Sequence, residues 1–406
     1  MGLTAQNLIE ALTACAGGEM DEFAEGIESE SLPEIVLLMR HAQPTYMVTV
    51  LSAWEVEGRD LSPALKLELD VARARADYYR SVHANLTSKV TGLSSVKGLE
   101  ILDLYPEGLT RHLNDIDYVA ATESGLWQAC DLLMRDGWEL YTATFSHFGG
   151  GPQVMVSLRR PHEDPFQLPY GIEMTTYYSL GNYGAIRPLV HLPAKWRGAA
   201  IKNILMLLYE RYEQPFRARD LVDTVLLHDA LRGDELAALH EAVVTLSLGV
   251  EYNELVELVG RSGLGTLRPL PGKRWTTGTI RVRRLARGAS FFLRPVAGTG
   301  RQLQRRMITG EISRPEGVLW DAVQRQLPVP AAMSGGLLAF GLPMDGPPPE
   351  VASIVLYRRG KLAWADTPAA RFLLTLGDFV DEDDVAALAK RHAEPSSDNG
   401  LAAEAR

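Results

Sequence analysis

The run from Asp115 to Ala120 constrains this chain most, because it combines a β-like pattern with two carboxylates two residues apart. In a strand, side chains at positions i and i+2 point to the same face, so Asp115 and Asp117 are expected side by side. Two like charges at that spacing repel each other unless a cation neutralises them. Mg²⁺ is the natural candidate, since it prefers oxygen ligands and commonly binds through one or two carboxylates plus substrate phosphates. The pair therefore favours phosphoryl- or nucleotidyl-transfer chemistry.

Hydrophobic periodicity predicts the elements on either side of this strand. The predicted helices span residues 3–27 in part, 61–90, Ser124–Arg135, Ile201–Arg211, Ala218–Leu231 and Asp234–Leu248. The predicted strands span Asp115–Ala120, Trp138–Phe148, Gln153–Arg160 and Tyr170–Tyr178. Ser124 is the expected N-cap of its helix, and the glycines of 149–151 predict a β-hairpin. This order predicts an α+β (mixed) fold, in which a small mixed β-sheet with helices is followed by a helical bundle.

The change in character along the chain predicts five consecutive segments. Residues 1–60 form a helical and acidic extension, and residues 61–198 form the mixed-sheet core that carries the carboxylates. The helical bundle follows at 199–260, and a basic, β-rich α+β C-terminal domain at 261–390 contains hairpins predicted at Thr279–Val296 and Ser353–Trp364. Residues 391–406 are small and polar, and they are expected to form a disordered tail.

Composition excludes several classes of protein. The 406 residues are 46% hydrophobic and 23% charged, which is typical of an ordinary globular protein. No apolar run of about 18 residues is present, so no membrane partner is expected. Cys15 and Cys130 are the two cysteines, too few for a disulfide framework or a zinc site. Because no secretory signal is visible at the N-terminus either, a cytoplasmic location is expected.

Charge is unevenly distributed, although the net charge of −10 argues against wholesale coating of nucleic acid. The stretch from Glu19 to Glu34 holds seven acidic residues and no basic one. Residues 261–310 lack Asp and Glu but hold twelve basic residues, which predicts an anion-facing surface. Three interpretations stay open: a groove for RNA or another polyanion, packing on the acidic N-terminal region or a contribution to a triphosphate pocket, and a solvated arginine-rich hairpin.

Other residues add to the case made by the carboxylate pair. Glu173 lies in an apolar strand, where a carboxylate needs a partner if it faces a core. Three carboxylates on neighbouring strands can hold two metal ions that clamp the attacking and leaving oxygens of an in-line displacement. Lys97-Gly98 lies at a strand-to-helix turn, where glycine lets the backbone approach a phosphate. Arg111, four residues before the pair, can supply charge to transferred phosphates.

Taken together, the order of these motifs resembles an uncharacterised bacterial nucleotidyltransferase family of the polymerase-β-like superfamily. The resemblance covers residues 73–230. Its matching pieces are Val96-Lys97-Gly98-Leu99, Tyr105-Pro106, Arg111–Asp117, the helix leading to Asp136-Gly137-Trp138, His147, Ile172-Glu173-Met174 and Arg219–Asp223.

That resemblance implies a metal-dependent transfer of a nucleoside monophosphate from an NTP, expected to be ATP, with release of pyrophosphate. Asp115 and Asp117 would bind Mg²⁺ or Mn²⁺, and Glu173 would bind a metal ion or accept the proton of the attacking hydroxyl. Lys97 stands where much of the superfamily has a Gly-Ser pair, so Lys97 and the backbone of Gly98 would contact the phosphates.

The remaining matching residues have smaller implied roles. Arg111 would hold the β- and γ-phosphates, and His147 is a candidate contact to phosphate or acceptor. Asp220 and Asp223 are expected to cap or salt-bridge the helical bundle, and they are left out of the predicted site.

The acceptor class stays open. The primary hypothesis is a hydroxyl, amine or phosphate of a small molecule or peptide, as in a biosynthetic tailoring or resistance enzyme. A tRNA or protein acceptor would use the basic block of residues 261–310 as its docking surface. Two other hypotheses are a non-catalytic nucleotide-binding or scaffold protein of the same fold, and a hydrolase that uses the carboxylates as a metal site.

Overall fold

A computed structural model gives the fold, and it describes residues 3–16, 43–148, 151–179, 189–211, 215–271, 339–359 and 362–376, with residues 329, 385 and 386. Most of the basic block, the hairpin predicted at Thr279–Val296, the acidic stretch Glu19–Glu34 and the tail 391–406 lie outside the described residues. Among the described helices, none is both long and apolar enough to cross a membrane.

The chain divides into two compact units, each made from three stretches of sequence. The first unit comprises Met1–Asn85, Ser95–Asp117 and Leu192–Arg284, and the second comprises Leu86–Ser94, Tyr118–His191 and Leu285–Arg406. The five consecutive segments of the sequence analysis were defined by changes in composition along the chain. As domain boundaries they stay a prediction.

Helices make up most of the described first unit. In chain order they are α1 (Ala5–Ala16), α2 (Pro44–Val56), α3 (Pro63–Lys89), α4 (Gly98–Leu102), α6 (Ala199–Glu210), α7 (Ala218–Ala230), α8 (Gly233–Thr245) and α9 (Gly249–Arg261). The end of α3, from Leu86 on, belongs to the second unit, as does α5. Helix α1 packs on α2, α7 and α9, while α6 packs on α7 and α8. The apolar stripe of α1, with Leu8 and Leu12, is fully buried. The helix predicted within residues 3–27 and the helices predicted between Ile201 and Leu248 are therefore confirmed.

The second unit is built on a sheet. The strands of this sheet, in chain order, are β1 (Leu93–Val96), β2 (Asp115–Ala120), β3 (Glu139–Phe148), β4 (Gly151–Arg160), β5 (Tyr170–Thr175), β6 (Ala339–Pro343), β7 (Val355–Arg359), β8 (Leu362–Asp366) and β9 (Arg371–Thr375). The boundary between the two units falls within β1 and within β2, so Asp115 to Asp117 belong to the first unit. The strand order is β1-β2-β5-β4-β3-β6-β9-β8-β7. Antiparallel pairing of β3 with β4 and of β7 with β8 confirms two predicted hairpins.

Alternation along β3, β4 and β5 separates two faces of this sheet. One face carries Phe145, Val154, Val156, Ile172 and Met174, all completely buried. Helix α5 (Glu123–Arg135) contacts β3 and buries its own apolar side, which supplies the layer of a mixed α+β fold. The predicted N-cap of α5 was wrong: the Thr122 side chain accepts a hydrogen bond from the Gly125 backbone N–H, because Thr122 has the extended backbone of a cap.

Candidate functional site

Strand β2 begins with the two carboxylates that the sequence singled out. Its residues alternate, so Ile116 and Tyr118 are buried on one face while Asp115 and Asp117 share the other. Asp115 is exposed, and the Asp117 side chain retains 20% exposure. Apolar anchors on the opposite face therefore fix the backbone while the carboxylates stay within reach of water and ions.

Residues just before β2 are held by hydrogen bonds within the first unit. The Tyr79 hydroxyl donates to the Asn114 carbonyl at 2.6 Å, and the Thr110 N–H donates to Ser52 Oγ at 2.9 Å. His112 Nε2 lies 2.9 Å from Asn114 Oδ1, and burial lowers the pKa of His112 to about 4. A neutral imidazole thus occupies this turn at physiological pH, and Asp115 starts from a well-anchored segment.

A buried ion pair anchors the same segment to α7. Arg111 donates from Nε to Asp223 Oδ1 at 3.0 Å and from Nη2 to Oδ2 at 2.7 Å, and the Tyr105 hydroxyl also donates to Oδ1 at 2.8 Å. Burial lowers the pKa of Arg111, but the Asp223 charge and its hydrogen bonds outweigh burial and raise it overall. Burial and the Asp223 charge also raise the pKa of Tyr105 well above its usual value. The prediction that Asp223 salt-bridges the bundle is confirmed.

This pairing bears on the phosphate contact expected of Arg111. Two of its nitrogens already bind Asp223, and its side chain is only 5% exposed. A Cβ added to Gly98 would lie 3.2 Å from the remaining nitrogen of Arg111, Nη1. The same Cβ would lie 3.0 Å from Leu113 Cδ2. Gly98 is thus suited to close packing of α4 against the Arg111 segment. Phosphate binding by Arg111 and Gly98 stays a prediction.

Lys97 has a backbone conformation that side chains rarely adopt. Its φ is 58° and its ψ is −124°, at the turn between β1 and α4. A non-glycine residue held there costs about 1–3 kcal/mol and persists only when its surroundings fix it. Here the Lys97 N–H donates to Asn203 Oδ1 on α6.

The residues around Asn203 form a polar network that joins this turn to α6. Asn203 Nδ2 donates to Glu100 Oε2 at 2.8 Å, and Lys202 Nζ donates both to Glu100 Oε1 and to the Ser95 carbonyl at 2.8 Å. Lys202 is 3% exposed, so its charge is offset by Glu100 rather than by water. The network fixes the end of β1 and the first turn of α4, and with them the strained residue between.

The Lys97 side chain reaches two carboxylates. Its Nζ lies 3.7 Å from Asp117 Oδ2 and forms a closer ion pair with Glu210 Oε1. Glu210 is the last residue of α6, and its side chain is 25% exposed. Sequence reasoning missed Glu210, since its position at the end of an amphipathic helix carries no signal of its neighbours. The structure thus brings together Lys97, Asp117 and Glu210.

Glu173 and His147 belong to the second unit. Glu173 lies half-buried in β5 opposite Ser157 of β4, whose hydroxyl donates to Glu173 Oε1 at 3.4 Å. His147 pairs with Pro152 through the backbone of β3, and its side chain lies outside the described residues. Since Asp115 and Asp117 belong to the first unit, a three-carboxylate site and the role of His147 stay predictions.

The carboxylates of β2 suit Mg²⁺ or Mn²⁺ by their chemistry. They offer hard oxygen atoms on one strand face, and such an ion needs one or two protein carboxylates when phosphates complete its shell. Within the described ranges, no group of three or more His, Cys, Asp or Glu side chains could hold a metal ion by itself. The two carboxylates suit an ion whose remaining ligands are water or phosphate oxygens.

Asp220 caps α7 and lies outside the predicted site, as expected. Its Oδ2 accepts a hydrogen bond from the Arg217 N–H at 2.8 Å. Burial raises the pKa of Asp220 to about 6, and the charges of Glu210 and Asp223 add to this effect.

Comparisons with protein-family models, with curated protein sequences and with solved structures found no match to this chain.

Proposed function

We propose that this chain is a nucleotidyltransferase that depends on Mg²⁺ or Mn²⁺ and transfers a nucleoside monophosphate from an NTP, taken to be ATP, with release of pyrophosphate. The acceptor is a hydroxyl, amine or phosphate of a small molecule or peptide. The observation that carries the proposal is the placement of Asp115 and Asp117 on one face of β2 with the Lys97 ammonium 3.7 Å from Asp117.

Several residues of the first unit have a task in this proposal. Asp115 and Asp117 would hold the divalent ion, whose chemistry when bound is to neutralise charge on the triphosphate. Lys97 supplies a fixed positive charge beside them, where it can face phosphate oxygens. The Arg111–Asp223 pair and the Tyr79 hydroxyl fix the segment that leads into Asp115.

The experiment measures transfer of label from each α-labelled NTP in the presence of Mg²⁺ and cell extract. Asp115→Asn with Asp117→Asn should lower labelling and pyrophosphate release by about 100-fold or more while leaving the fold intact. The control is Asp77→Asn with Asp103→Asn, which removes the same charge from two exposed carboxylates that pair with Arg80. Because exposed pairs contribute about 0–1 kcal/mol, the control should keep full activity.

Three outcomes would contradict the proposal. Equal labelling by the Asp115 and Asp117 double variant and the wild type would place the chemistry elsewhere. Inorganic phosphate release without a labelled acceptor would favour a hydrolase. Binding of Mg²⁺–ATP without turnover of any NTP in any extract would favour a nucleotide-binding scaffold.

A further inference from the structure

Glu210 has no task in the proposed function, although it is the closer partner of the Lys97 ammonium. The side chains of Lys97, Asp117 and Glu210 are 20–27% exposed, so water screens their charges only in part. The one ammonium is therefore shared between a carboxylate that would bind a metal ion and one at the end of α6.

The backbone of Lys97 is held in a fixed conformation, which limits where its ammonium can lie. Its positive φ favours glycine, yet the residue there carries a long cationic side chain. Asn203 and, through it, Glu100 and Lys202 hold the turn on α6, the same helix that ends at Glu210. One helix thus fixes both ends of Lys97: its N–H through Asn203 and its ammonium through Glu210.

A divalent ion on Asp117 would lie within a few ångströms of the ammonium and repel it. Without the Glu210 ion pair, an ion on Asp117 would take from Lys97 the carboxylate that balances its ammonium. With Glu210 present, the ammonium keeps an anionic partner when the ion takes Asp117. It then remains beside the site, where it can meet a phosphate.

We propose that Glu210 is a positioning residue that holds the Lys97 ammonium, so that Lys97 balances Asp117 before a divalent ion binds and faces the accompanying polyphosphate afterwards. The inference rests on the proposed function, and it defines the ligand class of the site as a divalent ion together with a polyphosphate.

The first test is Mn²⁺ binding to the nucleotide-free full-length chain, followed through the signal of unbound Mn²⁺ in electron paramagnetic resonance. Lys97→Met should tighten binding by about tenfold, because a competing cation is lost. Glu210→Gln should weaken binding by a similar factor, because Lys97 then loses its ion pair with Glu210 and competes more strongly for Asp117. In the Lys97→Met background, Glu210→Gln should change binding less than about twofold.

Equal weakening by Glu210→Gln in both backgrounds would overturn the inference, since Glu210 would then act on the ion directly. So would the same direction of change for Lys97→Met and Glu210→Gln. A wild-type chain that binds Mn²⁺ neither alone nor with ATP would also overturn it. The double variant Asp115→Asn with Asp117→Asn should abolish Mn²⁺ binding at this site, and it therefore shows how much of the measured binding takes place there.

Urea unfolding of the same four proteins tests the pair without any metal. The inference expects the two substitutions to be non-additive, because Lys97 and Glu210 are in contact. Additive effects would overturn it. Failure of the proposed function has a different signature, namely Mn²⁺ binding and coupling as expected but no label transfer.

Discussion

Arg111 and Asp223 meet inside the first unit through a two-point ion pair, with Arg111 Nη2 2.7 Å from Asp223 Oδ2 and the carboxylate completely buried. The Tyr105 hydroxyl satisfies the same carboxylate, so the pair is hydrogen-bonded as well as charged. It joins the segment leading into Asp115 to α7, across 112 residues of sequence. The carboxylate pair of β2 therefore depends on a contact that lies outside its own strand.

Breaking this pair should be costly. Asp223→Asn should lower the free energy of unfolding by about 3–5 kcal/mol, because it leaves the Arg111 charge buried with a neutral partner. Arg111→Met with Asp223→Leu removes both charges and should recover much of that loss. Urea unfolding of the single and double variants measures both effects. A double variant that is no more stable than Asp223→Asn would contradict this account.

At position 97, a glycine variant should be more stable than an alanine variant, which is the reverse of the usual order in helices. Lys97→Gly should be more stable than Lys97→Ala by about 1 kcal/mol, since glycine accepts φ 58° without strain. At Lys66, inside α3 and half-exposed, the ordinary order should hold, with alanine about 1 kcal/mol better. Thermal unfolding of the four variants is the measurement, and the same order at both positions would contradict the strain.

Transfer activity separates the two roles of Lys97. Both Lys97→Gly and Lys97→Ala lack the ammonium, so both should lose label transfer, whichever is the more stable. Full activity in either variant would show that the ammonium is dispensable.

A side chain at Gly108 should destabilise the fold more than a side chain at Gly58. Its φ is +85°, and an added Cβ would lie 2.6 Å from Val56 Cγ2. Gly58 has a similar φ of +79° but open space around it, so it is a matched control in the same unit. Gly58→Ala should cost about 1–2 kcal/mol through backbone strain alone, and Gly108→Ala should cost more because of the clash. Equal losses in urea unfolding would mean that Val56 can move aside.

Asp220 should make stability depend on pH. Its folded pKa of about 6 lies above its ordinary value, so the folded state retains a proton that the unfolded chain loses. The favourable contribution is therefore complete below about pH 4 and is lost as the pH rises through 6. Asp220→Asn should remove this loss, so the variant should gain about 2 kcal/mol relative to wild type between pH 4 and pH 7. His112, whose lowered pKa acts in the opposite direction, is common to both proteins and cancels.

Urea unfolding at several pH values measures that difference. A constant gap between Asp220→Asn and wild type from pH 4 to pH 7 would contradict the raised pKa.

Local sequence was informative wherever a pattern repeats within one element. The helical spacing of residues 61–90 predicted α3, and the alternation of Gln153–Arg160 predicted β4. Helix α2 was not predicted, because its residues are apolar on all sides and show little periodicity. Strands β6 and β9 were missed as well: β6 pairs with the distant strand β3, and β9 pairs both with β6 and with the neighbouring β8.

By itself, the sequence determined many of the stretches that become helices and strands in the mixed fold, although not α2, β6 and β9, and it determined that Asp115 and Asp117 share a strand face. These properties follow from the periods of 3.6 and 2 residues, which are local. Only the tertiary structure decided that Arg111 is buried against Asp223 and that Lys97 lies between Asp117 and Glu210. Such pairings join residues far apart in sequence, and they arise from the packing of α6 and α7 on the turns around α4, which no local pattern encodes.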